Sequence, residues 1–231
     1  MPYTVLVAED DKDIANLVSL YLKSSEYNVL LAGDGEEAYE IVKSNDIDLA
    51  VLDIMMPKMD GYELTMKIRK DYNFPIIFLS AKNQDSDKIL GLNMGADDYM
   101  TKPFNPLEIV ARVKSNIRRY YEFNKSEEAT GSTFTVGDLT IDTDRMTTKR
   151  GEEDIILTPT EFKILALLMR NPGRVFTKAQ ICENTFGEYY ETDDNSMMVH
   201  ISKLREKLGD DSRNPKYIKN IRGLGYKIDK K

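Results

Sequence analysis

The fold is decided by the stretch Leu49-Ala50-Val51-Leu52-Asp53-Ile54-Met55-Met56-Pro57-Lys58-Met59-Asp60-Gly61. Its first four residues are apolar and predict a buried strand, and Asp53 stands where that strand ends. A turn that contains Pro57 and Gly61 follows. Because a carboxylate at the mouth of a buried strand contributes little to packing, Asp53 is a candidate for chemistry.

Three further apolar runs also end at polar side chains. These are Glu9 and Asp10 after Val5–Ala8, Ser80 after Pro75–Leu79, and Lys102 after Asp98–Thr101. If the strands are parallel, their carboxyl ends meet at one edge of the sheet, so acids, a hydroxyl and a lysine converge there. An aspartyl-phosphate site requires this set of groups. Each signal alone is weak, since an acid after a strand is often a solvated loop end.

Residues 1–121 alternate short apolar runs with amphipathic segments. The predicted strands are Val5–Ala8, Val29–Ala32, Leu49–Asp53, Ile76–Ser80 and Tyr99–Thr101. The predicted helices are Ile14–Leu22, Glu36–Val42, Tyr62–Arg69, Asp87–Met94 and Leu107–Arg119. Apolar strands that alternate with helices indicate a parallel sheet covered on both faces. We therefore expect an α/β, flavodoxin-like (βα)5 domain with strand order 2-1-3-4-5.

The C-terminal half has a different periodicity. Residues 122–132 have the composition of a linker and separate two expected domains, 1–121 and 133–231. Short alternating runs predict a small antiparallel sheet with strands Phe134–Val136, Leu139–Ile141, Arg145–Thr148 and Asp154–Leu157.

Helix signals follow that sheet. Thr158-Pro159-Thr160-Glu161 and Thr177-Lys178-Ala179-Gln180 are capping boxes that open two helices, the first ending at Arg170 and the second near Asn184. A third helix should cover Ser196–Leu208 and end at Gly209. A hairpin of Tyr217–Ile221 and Tyr226–Ile228 completes an α+β winged helix-turn-helix domain.

Charge is distributed unevenly along the chain. The formal net charge is -7, but residues 200–231 hold 10 Lys/Arg against 4 Asp/Glu. A basic C-terminal end is compatible with DNA binding, although a solvated surface could produce the same excess.

Neither the apolar runs nor the N-terminus predicts a membrane span or a signal segment. Cys182 is the only cysteine, so no intrachain disulfide is possible and a reducing compartment is favoured. We expect the protein in the cytoplasm.

The strand-end groups suit phosphoryl chemistry with Mg²⁺ as cofactor. A carboxylate attacks phosphorus well only when negative charge is offset, and paired acids are the hard oxygen ligands that a divalent cation prefers. Lys102 would offset charge on a further oxygen, and the Ser80 hydroxyl could hydrogen-bond another.

Taken together, the sequence resembles two-component response regulators of the OmpR/PhoB type over essentially the whole chain. The likeness is carried by the strand-end set, by Thr158-Pro159-Thr160-Glu161-Phe162 and by Val199-His200-Ile201-Ser202-Lys203-Leu204-Arg205-Glu206-Lys207-Leu208. A weaker likeness links Asp87-Lys88 and Gly95-Ala96-Asp97-Asp98-Tyr99 to vancomycin-resistance-type regulators.

The resemblance implies that Asp53 accepts phosphate from a sensor histidine kinase. It implies that Asp10 binds Mg²⁺ directly and Glu9 through water, with Asp53 and the Met55 carbonyl as further ligands. Ser80 and Tyr99 match the switch pair, and Lys102 matches the invariant lysine, with a cis bond expected before Pro103. Once Asp53 is phosphorylated, Ser80 would turn toward the phosphoryl group and the ring of Tyr99 would rotate inward.

The resemblance also implies a homodimer, double-stranded DNA and RNA polymerase as partners. The residues that match the family's intermolecular salt bridges are Lys88, Asp97, Asp98, Glu108, Arg112 and Arg119. The residues expected to face DNA are His200, Lys203, Arg205, Lys207, Asn220 and Arg222. In the third helix, Val199, Ile201, Leu204 and Leu208 should pack inward.

One rival function remains as the alternative, an orphan regulator that would dimerise and bind DNA without phosphorylation. A dehalogenase-like phosphatase fails, because Met55 stands where such an enzyme needs a second acid and no cap or substrate pocket is evident in the sequence. Met197 and Met198 either fill the core or touch thymine methyl groups, with the core favoured. The operator, the kinase, the direction of regulation and the state of the free protein are not readable from the sequence.

Overall fold

The computed structural model describes residues 2–81, 85–122, 133–186 and 193–230. The chain divides into two compact units, residues 1–118 and 119–231. The expected linker, 122–132, lies outside the described residues except for its first position. No helix in the described part is long and apolar enough to cross a membrane.

The first unit alternates strands and helices along the chain. Its strands are β1 Thr4–Ala8, β2 Asn28–Ala32, β3 Leu49–Asp53, β4 Ile76–Ser80 and β5 Asp98–Thr101. Its helices are α1 Lys12–Ser24, α2 Gly35–Ser44, α3 Gly61–Asp71, α4 Asp85–Asn93 and α5 Pro106–Glu122, the last of which continues past the unit's boundary. The strands form one parallel sheet in the order β2-β1-β3-β4-β5, so the predicted fold class is confirmed.

Acidic caps fix where the helices of this unit begin. The side chain of Asp11 accepts hydrogen bonds from two backbone N–H groups at the start of α1. Asp34 and Asp60 cap α2 and α3 in the same way. Because every residue of β3 and β4 is buried, these strands form the centre of the core, and their carboxyl ends lie side by side.

The second unit begins with an antiparallel sheet and continues with helices and a hairpin. The sheet contains β6 Thr133–Val136, β7 Leu139–Asp142, β8 Thr147–Arg150 and β9 Glu153–Asp154. The helices are α6 Pro159–Arg170, α7 Lys178–Phe186 and α8 Asp193–Leu208. The hairpin pairs β10 Ile218–Ile221 with β11 Gly225–Ile228, which completes the expected winged helix.

Two strands of this sheet differ from the prediction. The third was expected at 145–148, but the Asp142 carboxylate accepts hydrogen bonds from the N–H groups of Asp144 and Arg145 and turns the chain there. Met146 is left-handed in this turn, with φ 51°, so β8 begins at Thr147, two residues later than expected. The fourth was expected over 154–157, but β9 is two residues long and the chain then runs to the cap of α6.

Both capping boxes form as predicted. Thr158 and Glu161 bond reciprocally to each other's backbone N–H at the start of α6. Thr177 and Gln180 do the same at α7, with both N–H to side-chain oxygen distances at 3.1 Å. Gly209 follows α8 with φ 60°, which is the C-cap geometry that glycine adopts at low cost.

Candidate functional site

Lys102 joins two carboxylates at the edge of the parallel sheet. Its Nζ donates to Asp53 Oδ2 at 2.9 Å and to Glu9 Oε1 at 2.8 Å. Asp53 and Glu9 are both buried, and the lysine side chain is only 15% exposed. The three groups come from the ends of β3, β1 and β5, as the parallel register requires.

The turn after β3 packs directly on the backbone of Asp53. A Cβ on Gly61 would lie 2.3 Å from the Asp53 carbonyl oxygen, so no larger residue fits there without a shift. The N–H of Gly61 donates to the Ile54 carbonyl at 2.9 Å, and the N–H of Met55 donates to Asp53 Oδ1 at 3.2 Å. The sequence marks this glycine as a turn residue but does not show that it touches Asp53.

The acids at this edge fit a divalent cation. Carboxylate oxygens of Glu9, Asp10 and Asp53 lie within 4.8 Å of one another, and Asp10 is exposed while the other two are buried. These are hard oxygen donors of the kind that Mg²⁺ prefers, with an open side for water. Asp11 has a different role, since its carboxylate caps α1.

Burial and charge shift the pKa values of Glu9 and Lys102. Burial, assisted by the charge of Asp53, raises the pKa of Glu9 to about 7, although Lys102 opposes the shift. Burial also disfavours the charged form of Lys102, but its hydrogen bonds to Glu9 and Asp53 outweigh that effect and raise the lysine pKa. The lysine therefore stays protonated between two acids.

Ser80 ends β4, Tyr99 lies on the neighbouring strand β5 opposite Phe78, and both side chains are buried. Burial raises the pKa of Tyr99, and a hydrogen bond to the Ser80 side chain opposes that rise. The ring packs edge-on against Phe78 with centroids 6.5 Å apart. The Tyr99 ring thus already points inward, the arrangement that was expected from the sequence only after phosphorylation.

Helix α4 approaches this ring closely. A Cβ on Gly91 would lie 3.1 Å from the Tyr99 ring and 3.0 Å from that of Phe78. Gly91 was not among the predicted site residues. A glycine inside a helix is costly, so its presence there is the sequence signal for a close packing contact.

The residues expected to form intermolecular salt bridges differ in their burial and in their contacts within the unit. Asp97 is only 2% exposed, and its Oδ2 accepts hydrogen bonds from Arg69 at 2.8 Å and from the Ile76 N–H at 3.1 Å. The expectation that Asp97 reaches across an interface is therefore wrong, because it anchors α3 to β4 within the unit. The side chains of Lys88 and Arg119 lie outside the described residues.

The remaining members of that set form a partly exposed network. Arg112 Nη1 lies 2.9 Å from an Asp98 oxygen, and Nη2 lies 2.8 Å from a Glu108 oxygen. Burial disfavours the charge on Arg112, but the two acids outweigh it, so the arginine pKa is raised. These side chains are between about a fifth and a half exposed, so they are accessible to a partner.

Helix α8 packs one face into the core of the second unit. Met197, Ile201, Leu204 and Leu208 are buried, and Met198 is 41% exposed. The expectation that His200 is displayed is wrong, because its side chain is only 1% exposed. It lies three residues after Met197 and four before Leu204, and these spacings put it on the buried face. Val199, expected inside, is partly exposed.

The basic residues of α8 differ in their contacts. Lys203 lies 2.8 Å from Glu206 and keeps about a third of its side chain exposed, and Lys207 lies 2.6 Å from Glu161 with similar exposure. Arg205 is turned inward and is only 13% exposed, so the expectation that it is displayed is also wrong. In the hairpin, Asn220 and Arg222 are exposed.

Known protein families match both units. Residues 5–114 match the family described as response regulator receiver domain, and residues 151–228 match the family described as transcriptional regulatory protein, C terminal. Response regulator GtcR of Aneurinibacillus migulanus is 46% identical, over 100% of this chain and 97% of its own. Regulatory protein VanR of Enterococcus faecium is 43% identical over 98% of each chain.

Solved structures agree with these relatives. A RitR mutant has a TM-score of 0.84 at 28% identity, covering 99% of this chain and 100% of its own. DrrB of Thermotoga maritima, an OmpR/PhoB homolog, has a TM-score of 0.51 at 31% identity with the same coverage.

The chain belongs to the two-component response regulators and, among them, to the response regulator transcription factors, which are not enzymes. Within that family its winged-helix unit makes it a member of the OmpR/PhoB type. Receiver domains bind Mg²⁺ at an acidic pocket, and Glu9, Asp10 and Asp53 form such a cluster here. Membership implies a histidine kinase and DNA as partners.

Proposed function

We propose that Asp53 is the phosphoacceptor and that its phosphorylation by a sensor histidine kinase controls dimerisation and promoter binding. One observation carries this proposal: the Asp53 carboxylate lies 2.9 Å from Lys102, in a cluster with Glu9 and Asp10. Among the described residues, no other group of three or more acids has ligand atoms this close together. The position at the carboxyl ends of the strands is where ligands bind in sheets of this kind.

Each residue of the site has a separate role in phosphoryl transfer. An Asp53 oxygen forms the new bond to phosphorus while the bond from phosphorus to the kinase histidine breaks. Lys102 stays beside Asp53 and offsets negative charge on the phosphoryl oxygens, and the Ser80 hydroxyl hydrogen-bonds one of them. Glu9, Asp10, Asp53 and the Met55 carbonyl would hold Mg²⁺, which supplies further positive charge when bound.

We propose that Ser80 and Tyr99 transmit the change. A phosphoryl group on Asp53 would draw the Ser80 hydroxyl toward it, so phosphorylation changes the contact between Ser80 and Tyr99 and with it the packing between Tyr99 and α4. Gly91 makes that contact sensitive, because its missing side chain is what lets α4 lie against the ring. The inward ring supports a shift of population toward a pre-existing arrangement rather than a new one.

Dimerisation would use the surface of α4, β5 and α5. Asp98, Glu108 and Arg112 support this, because each pairs within the unit while remaining partly exposed. Lys88 and Arg119 are proposed as further members from the resemblance alone. Exposed pairs contribute only about 0–1 kcal/mol each, but a two-fold interface repeats every pair.

The second unit would place α8 in the major groove and the tip of the hairpin in the minor groove. Lys203 and Lys207 supply cations on α8, and Asn220 and Arg222 supply polar groups on the hairpin. We propose domain limits of 1–121 and 133–231 with 122–132 as linker, and RNA polymerase as a partner at the promoter.

Light scattering and DNA binding test this function together. Wild type and Asp53→Ala are compared with and without beryllofluoride and Mg²⁺, on duplexes that the wild-type chain enriches from a random-sequence pool. We expect beryllofluoride to promote dimerisation and to tighten DNA binding in the wild type alone. Equal behaviour of both proteins would retain DNA binding and contradict control through Asp53, in favour of an orphan regulator.

A further inference from the structure

We propose that Arg205 and Met198 are positioning residues that fix the hairpin β10–β11 against α8, and thereby set the place of Arg222. Arg205 was expected to contact DNA directly, whereas its contacts are internal. The inference rests on the proposed DNA binding. It names the residues that set the spacing between α8 and the tip of the hairpin, the two elements proposed to enter the grooves of DNA.

Arg205 reaches from α8 to both strands of the hairpin. Its Nη2 donates to the Ile218 carbonyl in β10 at 2.6 Å, and its guanidinium carbon lies 5.9 Å from the centre of the Tyr226 ring in β11. The Nε lies 4.0 Å from the buried carboxylate of Asp210. A guanidinium held by these partners is poorly placed for a phosphate at the surface.

Met198 makes a second contact with the same tyrosine. The Tyr226 hydroxyl donates to Met198 Sδ at 2.9 Å. Met198 and Arg205 are seven residues apart, which is close to two helical turns and puts them on the same side of α8. The Tyr226 side chain is therefore contacted by α8 at its hydroxyl, through Met198, and at its ring, through Arg205.

Backbone contacts hold the hairpin at the start of β10 and, near the tip, at Gly225 and Tyr226. The Asp210 carboxylate accepts hydrogen bonds from the N–H groups of Lys216, Tyr217 and Ile218 at the start of β10. Phe176 and Tyr226 exchange two backbone hydrogen bonds of 2.9 Å. A Cβ on Gly225 would lie 1.9 Å from the Phe176 carbonyl oxygen, so the strands cannot slide there.

Arg222 lies at the exposed tip, four residues before Tyr226. Its distance from α8 depends on the contacts of Arg205 and Met198 with the hairpin, because the other contacts named above link the hairpin to residues outside that helix. Substitutions that remove the contacts of Arg205 or Met198 with the hairpin should therefore remove the contribution of Arg222 to DNA affinity, although neither residue contacts DNA itself.

A double-mutant cycle separates positioning from direct contact. The probe is a duplex that the full-length wild type recovers from a random-sequence pool, titrated over a range of salt. We expect Arg205→Met and Arg222→Ala each to weaken binding about tenfold, and the double variant to bind about as weakly as either. The salt slope should fall by about 1 in each single variant and no further in the double.

Controls keep the test independent of folding. Arg213→Met removes an exposed cation from the same unit and should leave the coupling between Arg205 and Arg222 unchanged. Arg205→Lys should recover part of the affinity that Arg205→Met loses. If Arg205→Met melts below the assay temperature, Met198→Leu and Tyr226→Phe carry the same cycle with Arg222→Ala.

Additive losses, with a separate fall in salt slope for Arg205→Met, would overturn the inference and make Arg205 a phosphate contact. Wild-type affinity in Arg222→Ala would overturn it as well. A wild-type chain that enriches no duplex would instead contradict the DNA binding on which the inference rests.

Discussion

Lys102 Nζ and Asp53 Oδ2 lie 2.9 Å apart although 49 positions separate the two residues in the chain. The contact exists because β3 and β5 are both parallel neighbours of β4 and end at the same edge. The same lysine also binds Glu9, so it shares the carboxylates on which a divalent cation would depend.

Because Lys102 shares these carboxylates, we predict that its removal strengthens Mg²⁺ binding but abolishes the response to beryllofluoride. Lys102→Met removes a cation that competes for Glu9 and Asp53, so Mg²⁺ should bind about two- to tenfold more tightly. The beryllofluoride response should be lost, because no lysine then offsets the added negative charge. Calorimetric titration with Mg²⁺ and light scattering check the two halves, and weaker Mg²⁺ binding in the variant would refute the first.

Gly61 should be irreplaceable for a steric reason. In Gly61→Ala the new methyl group would lie 2.3 Å from the Asp53 carbonyl oxygen, so the backbone must shift at a cost of about 1–3 kcal/mol. Gly33→Ala is the matched control, because its Cβ would meet only a Glu37 side-chain oxygen at 3.6 Å. Urea unfolding should separate the two variants, and equal stability would show that the turn adapts freely.

Asp97 and Asp98 are adjacent but should have different effects. Asp97 is buried against Arg69, so Asp97→Ala leaves an uncompensated buried cation and should cost about 3–5 kcal/mol of stability. Asp98 is partly exposed with Arg112, so Asp98→Ala should cost about 0–1 kcal/mol and mainly weaken dimerisation. Thermal unfolding and light scattering on both variants test this, and a stable Asp97→Ala would be the contrary outcome.

Acid should weaken the second unit through Asp138. Hydrogen bonds from Lys216 and then Tyr217 lower the pKa of Asp138 to about 2, from 3.8 in the absence of partners. A depressed carboxyl pKa stabilises the fold above pH 3.8, and the contribution disappears as the pH falls toward 2. The stability difference between wild type and Asp138→Asn should therefore be constant above about pH 5 and shrink below 4 in chemical unfolding. A difference that persists at pH 2 would contradict this assignment.

The receiver fold was predictable because its strands are nearly continuous apolar runs with chemistry at their ends. β3 and β4 were predicted residue by residue, since burial on both faces leaves little choice of sequence. The boundaries of β8 and β9 were harder to predict from the sequence, because the Asp142 side chain decides where the turn ends.

The two errors in α8 have different causes. His200 follows the helical spacing of the buried face and was missed because a polar side chain was expected outside, whereas Arg205 turns toward the hairpin. Which long side chain folds back onto a neighbouring element depends on tertiary contacts that a single sequence does not contain. Asp97 was missed in the same way, since its partner Arg69 lies on a different helix.

The central claim is tested most directly by locating the phosphoryl group. The full-length protein is treated with a small-molecule phosphodonor and Mg²⁺, then reduced with borohydride, and its peptides are sequenced by mass spectrometry. We predict that residue 53 alone is converted to homoserine and that Asp53→Asn yields no such product. Conversion at Glu9, Asp10 or any other acid, or no conversion in the wild type, would contradict the account.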